Sequence, residues 1–243
     1  MAGYRRVVKL VRSLGVEPIV HKVAGSLYRV ETQEPVLHFT FDDGPHPDVT
    51  PDVLEVLDEY GAKATFFIVT KRAQQHPDLV AETLRRGHEI ALHTRTHPRL
   101  TELSSKELDE EIRGAQADLE DVAGREVRWF RPPYGAQNLR SLAVVRRGRM
   151  RTLLWSLDSK DWKGLTPDAA LAPSLGGLVP GAVVLLHDIP VDEEEGDDVS
   201  RGFISKADLT RLLLEETSRR GLKPVSLDEL LDAGIERRKA KLG

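Results

Sequence analysis

Five short polar clusters hold residue types that do acid–base or metal chemistry. They are Asp42-Asp43-Gly44, His93-Thr94-Arg95-Thr96-His97, Arg131-Pro132-Pro133-Tyr134-Gly135, Asp158-Ser159-Lys160-Asp161-Trp162 and His187-Asp188. Asp42 and Asp43 are adjacent, so their side chains leave the chain in different directions. One can hold a metal while the other points at a metal-held water. An Asp-Gly turn is the plainer reading of the pair. His93 and His97 are four apart, close enough to clamp one ion if the segment turns helically. Surface histidines at that spacing are also common. With Asp43 as third ligand, the site has two histidines and one carboxylate and leaves a position open for water. Such an ion makes hydroxide available near neutral pH. No base lies between the two histidines, and Asp42 is available for that role.

Arg131 opens a run whose two prolines fix the backbone and remove donors. Tyr134 then offers a backbone N–H at a rigid corner, the kind of donor an oxyanion needs. Arg131 pairs with a carboxylate in the pocket on this reading, and is a surface arginine beside a proline turn on the other. His187 ends an apolar strand, either as a satisfied core histidine or as a general acid oriented by Asp161. Trp162 supplies an apolar wall. Asp158 and Asp188 stay open between supporting and turn-capping roles. His21, His38, His46, His76 and His88 are read as structural.

The elements that position these clusters alternate strand and helix. Apolar strands are expected at 36–41, 64–69, 88–93, 127–130, 151–157, 182–187 and 223–227. Thr50-Pro51-Asp52 and Thr166-Pro167-Asp168 open helices with a cap and an early proline; Gly61 closes the first of these, and Gly87, Gly124 and Gly221 close others. Continuous apolar strands alternating with helices predict a parallel sheet covered on both faces, as a closed barrel or an open doubly wound sheet. Each cluster falls just after a strand end. In a barrel those ends share the face where catalytic groups sit. No glycine-rich turn follows the first strand, which weakens a dinucleotide-binding reading.

The chain has 243 residues, 40% hydrophobic and 30% charged, with no cysteine and a net charge of -4. Disulfide scaffolds, Cys-ligated zinc and thiol nucleophiles are excluded. The charge balance argues against nucleic-acid binding. No signal peptide or membrane span is read, so the expected location is cytoplasmic, with peripheral membrane contact through a basic N-terminal helix as the sharper alternative. Three segments are expected: an amphipathic helical arm at 1–33, one domain at 34–234, and a basic, frayed tail at 235–243. The acidic run 190–198 is either a solvated loop or a border of the cleft. In the second case it raises the His187 pKa and disfavours polyanionic substrates.

The ordered motifs TFDDGPH, HTRTH, RPPYG, DSKDW and LLHDI, spread over about residues 35 to 232, resemble the NodB-homology polysaccharide deacetylases, carbohydrate esterase family four. The resemblance implies a distorted (β/α)7 barrel, an α/β fold of parallel strands with outer helices. It implies that Asp43, His93 and His97 bind a divalent metal, Zn2+ first, with Co2+, Mn2+ or Ni2+ as alternatives. It makes Asp42 the general base, Arg131 its orienting partner, and the Tyr134 N–H an oxyanion donor. His187 becomes the acid that protonates the leaving amine, and Asp161 orients it. Trp162 and Leu185 line the acetyl pocket. The implied reaction is hydrolysis of N-acetyl groups on an acetylated amino sugar. An O-acetyl esterase, a lipid-linked amino-sugar deformylase, a small-amide hydrolase and a silent carbohydrate binder are the alternatives.

Overall fold

The structure is a computed structural model and describes residues 25–163, 166–190 and 205–240. The basic N-terminal helix and most of the acidic run lie outside the described residues. Ten strands are described: β1 Ser26–Glu31, β2 Val36–Asp42, β3 Ala64–Ile68, β4 Glu89–Leu92, β5 Trp129–Phe130, β6 Arg151–Thr152, β7 Leu157–Asp158, β8 Val183–His187, β9 Lys223–Pro224 and β10 Ile235–Lys239. The helices are α1 Thr50–Glu59, α2 Thr70–Gln75, α3 Pro77–Arg85, α4 Ser105–Asp109, α5 Ala115–Ala123, α6 Leu139–Arg147, α7 Pro167–Leu175, α8 Lys206–Arg219 and α9 Leu227–Asp232. A π-helical turn, Glu110–Gly114, joins α4 to α5. No described helix is long and apolar enough to cross a membrane.

Strands β2 to β8 form one parallel sheet in the order β6-β5-β4-β3-β2-β8-β7, and β9 pairs with the start of β2. β2 is central and buried from Leu37 to Asp42. Phe39 and Phe41, on one side of β2, pack with Leu54 and Leu57 of α1 in the main core. His38 is fully buried and bridges the Val225 carbonyl (2.8 Å) and the Thr65 hydroxyl (2.9 Å). Burial pulls its pKa down to about 4, which agrees with a structural role.

The run 151–157 is expected to be one strand. It is shared instead between β6 and β7, which sit at opposite ends of the sheet. Between them, the Leu153 N–H donates to the Phe130 carbonyl (3.0 Å), and the Ser156 N–H donates to the Val183 carbonyl (3.0 Å). The chain therefore crosses the seam of a curled sheet and bridges its two edges. Apolar periodicity reports burial along this run and not which neighbour each residue pairs with.

Both ends of the described chain correct the expectation. Residues 26–31, placed in a helical arm, form β1, and residues 235–239, placed in a frayed tail, form β10. The two pair antiparallel. Leu27 and Val30 of β1 are buried, and the Leu154 N–H donates to the Leu27 carbonyl (2.7 Å). Two arginines of the tail have acidic partners: Arg237 pairs with Glu31, and Arg238 with Glu236, which also takes Arg151.

Candidate active site

The motif loops emerge at the C-terminal ends of the parallel strands and surround one cavity of about 600 Å³. Asp42, Asp43, His93, His97, Tyr134, Trp162, Leu185 and His187 all line it. Arg131 and Asp161 lie behind it, buried. Asp158 also lines the cavity, and Lys160 holds it through both its N–H (3.0 Å) and its ammonium (2.6 Å).

Four residues at this face, together with Lys160, have left-handed backbone despite carrying side chains: Asp43 (φ 77), Thr94 (φ 69), His97 (φ 65) and Tyr134 (φ 59), with Lys160 at φ 61. Each such residue costs about 1–3 kcal/mol, so the surrounding structure must hold it. It does so with specific bonds. The Asp43 N–H donates to the Phe67 carbonyl (3.1 Å), and the His97 N–H to the Thr94 hydroxyl (3.0 Å). The two histidines are thus brought together by a tight turn and not by the helical turn that their spacing suggests.

His93 Nε2 lies 3.3 Å from Asp43 Oδ1, and His97 Nε2 lies 3.2 Å from the same oxygen. His93 Nδ1 is 2.8 Å from the Arg131 carbonyl, which can only accept. That fixes the proton on Nδ1 and leaves Nε2 as a lone pair aimed at a carboxylate. Two acceptors then face each other, and Asp43 Oδ1 is buried with no hydrogen-bond donor. A cation satisfies all three atoms at once, so these residues fit a metal ion. Burial pulls His97 down to about 4 and keeps it neutral, as a ligand must be.

Arg131 is fully buried. Its Nη1 donates to Asp42 Oδ1 (2.6 Å) and to the Thr40 hydroxyl (2.8 Å). Its Nε and Nη2 donate to the carbonyls of Leu153 (3.0 Å) and Leu154 (3.1 Å) at the seam. Its guanidinium stacks 4.0 Å from the Phe67 ring. Asp42 is therefore pinned through Oδ1, while Oδ2 lies 3.7 Å from His93 Nε2.

On the other flank, His187 Nδ1 is 2.8 Å from Asp161 Oδ1, and its backbone N–H donates to Asp161 Oδ2 (2.8 Å). Asp161 also accepts from Lys206 Nζ (3.0 Å). Burial opposes its ionisation, but the Lys206 and His187 charges hold it well below the usual range. Lys206 was not singled out in the sequence, though a signal was there. It is the first residue of α8, where the helix dipole disfavours a cation unless an acid answers it. Asp188 is a turn cap. It accepts from the Gly44 N–H (3.0 Å) and the Thr50 hydroxyl (2.7 Å), and burial pushes its pKa up to about 7.

The polysaccharide deacetylase family model matches residues 29–153, which carry the first three of the five polar clusters. The chain is a polysaccharide deacetylase family member. Over 201 residues it is 37% identical to the chitooligosaccharide deacetylase of Azorhizobium caulinodans, covering 82% of this chain and 96% of that one. It is 30% identical over 199 residues to the peptidoglycan-N-acetylglucosamine deacetylase of Bacillus cereus, covering 82% of this chain and 69% of the relative. A family 4 carbohydrate esterase from Streptomyces lividans, solved in complex with acetate, superposes with a TM-score of 0.70 at 26% identity, covering 88% of this chain and 100% of that one. The family membership and the parallel, curled sheet with outer helices agree with the sequence reading.

Proposed function

We propose that this polysaccharide deacetylase homologue is a metal-dependent hydrolase that removes N-acetyl groups from N-acetylated sugars. One observation carries the reading. Asp43 Oδ1, buried and without a donor, sits between two histidine nitrogens, with an arginine-pinned carboxylate on one flank and an aspartate-held histidine on the other.

Asp43, His93 and His97 would hold the ion. Two imidazoles and one carboxylate suit Zn2+, and the same donors accept Co2+, Mn2+ or Ni2+. When bound, the ion supplies Lewis-acid polarisation of the acetyl carbonyl and an acidified water. Asp42 takes a proton from the attacking water on Oδ2, because Arg131 occupies Oδ1. The water oxygen forms the new bond to the acetyl carbon. Tyr134 lies in the first turn after two prolines, where its N–H has no intrahelical acceptor, and it donates to the developing oxyanion. His187 is oriented by Asp161 through Nδ1, so Nε2 gives its proton to the nitrogen as the carbon–nitrogen bond breaks. Trp162 and Leu185 wall the cavity that takes the methyl group. The products are a free amine and acetate.

Acetate release from N-acetylglucosamine oligomers, by metal-loaded protein against a chelated control, tests the proposal. Chelator-sensitive release is expected. Release that survives chelation, or release from O-acetylated but not from N-acetylated sugars, overturns it.

A further inference from the structure

The turn that carries the second histidine is clamped from two sides. Thr94 and His97 both take left-handed backbone, so the segment 93–97 needs outside support to keep this shape. On one side, the first N–H groups of α2 grip its carbonyls. The Thr70 N–H donates to the Thr94 carbonyl (3.0 Å), and the Lys71 N–H to the Arg95 carbonyl (3.2 Å). On the other side, one carboxylate grips its donors. Glu111 Oε2 accepts from the Arg95 and Thr96 N–H groups (both 3.0 Å), and Glu111 Oε1 accepts from the Thr96 hydroxyl (2.7 Å). Glu111 stands in the π-helical turn Glu110–Gly114, where the Ala115 N–H reaches back to the Glu110 carbonyl. A single π turn between α-helical segments is rare and recurs at functional sites.

The two histidines are held in different ways. The His93 ring is fixed through Nδ1 by the Arg131 carbonyl (2.8 Å), and the His93 N–H donates to the Ile68 carbonyl (2.8 Å). Among the described residues, His97 Nδ1 makes no hydrogen bond, and the His97 N–H is tied to the Thr94 hydroxyl (3.0 Å) within the same turn. The position of His97 Nε2, 3.2 Å from Asp43 Oδ1, therefore follows from the backbone of the turn.

We propose that Glu111 is a positioning residue of the metal site. Its carboxylate locks the peptide groups of residues 95 and 96 and so holds His97 where it can share an ion with Asp43 and His93. The inference rests on the metal-dependent deacetylase reading and adds a residue to it. Glu111 lies outside the reaction cavity and touches no reacting atom. Hydrogen bonds to an ionised carboxylate are stronger than neutral ones. Residues that orient a ligand from behind change metal affinity by about tenfold to a hundredfold when lost.

Zn2+ affinity of the metal-free protein, measured by competition with a chromophoric chelator, reads the role of Glu111 without turnover. Glu111→Ala removes all three bonds and should weaken Zn2+ binding about tenfold to a hundredfold. Glu111→Asp keeps the charge but is one methylene short, and its affinity should fall as well. Glu111→Gln keeps the reach and an oxygen for the two N–H groups, and should recover most of the affinity. The visible absorption of the Co2+-loaded protein should change in Glu111→Ala and Glu111→Asp and match the wild type in Glu111→Gln. The proteins are compared well below their melting temperatures, where a loss of stability alone leaves the affinity unmoved. Wild-type affinity in Glu111→Ala and Glu111→Asp overturns the proposal, as does a loss that Glu111→Gln fails to restore. A wild type that binds no Zn2+ overturns the metal reading and the role of Glu111 together. Zn2+ binding without acetate release from any N-acetylated sugar overturns the deacetylase reading alone and leaves Glu111 in its role.

Discussion

Asp42 gives one oxygen to Arg131 and keeps the other 3.7 Å from His93 Nε2. Asp42→Asn keeps the size and the Arg131-facing oxygen but loses the basic one. Metal affinity by titration calorimetry should be retained, while kcat falls by about 10²–10⁴. Near-full activity would remove Asp42 as the base. His93→Ala works in the opposite sense and should lose metal affinity before anything else. Lys206 permits a prediction in pH. Asp161 is held below its ordinary value near 3.9, so its stabilising contribution is present above about pH 4 and is lost as the pH falls through the depressed folded value. Lys206→Met removes the cation that does much of this and leaves a buried carboxylate short of a partner, at a cost of about 3–5 kcal/mol. Urea unfolding from pH 3 to 7 should show the variant losing stability at a higher pH than the wild type. Superimposable acid limbs would mean that Lys206 does not hold Asp161 ionised.

At the scale of elements, strands and loops differ in how openly the sequence declares them. The central strands are continuous apolar runs whose burial is strong, so VLHFTF, ATFFI and VVLLH were readable as they stand. The polar clusters stood out because rare residue types recur just after those runs, and the structure gathers them around one cavity. What was not readable depends on long-range pairing: the sharing of 151–157 between two sheet edges, the union of β1 with β10, and the partnership of Lys206 with Asp161. Nothing in local periodicity encodes a partner that lies 45 residues away. The turn after β2 also carries a demand that the Asp-Gly pair does not declare, since Gly44 is there for space. A Cβ on Gly44 would fall inside the Asp188 carboxylate, which already caps the Gly44 N–H and the Thr50 hydroxyl. Gly44→Ala should therefore cost about 1–3 kcal/mol in calorimetric stability and lower turnover by displacing Asp43. Gly176→Ala meets nothing within 4 Å and serves as the control expected to change neither.

At the scale of the whole molecule, the catalytic face depends on how the sheet is closed at its seam. Arg131 positions Asp42, and the seam carbonyls of Leu153 and Leu154 position Arg131. Leu154 in turn donates its N–H to Leu27 of β1, and Lys239 of β10 donates to the Trp155 carbonyl (3.1 Å). A continuous set of hydrogen bonds thus runs from the chain's terminal ribbon to the base. Deleting residues 235–243 removes β10, its pairing with β1 and the Lys239 contact, while leaving every site residue in place. The lost backbone bonds, each worth about 0.5–1.5 kcal/mol net, predict a stability loss of about 2–4 kcal/mol by denaturant titration. They also predict a fall in kcat, measured well below the melting temperature, with metal affinity preserved, because Asp43, His93 and His97 are held by other loops. A truncated protein that is less stable but turns over at the full rate would show that the ribbon only fastens the seam and that Arg131 keeps Asp42 in place without it.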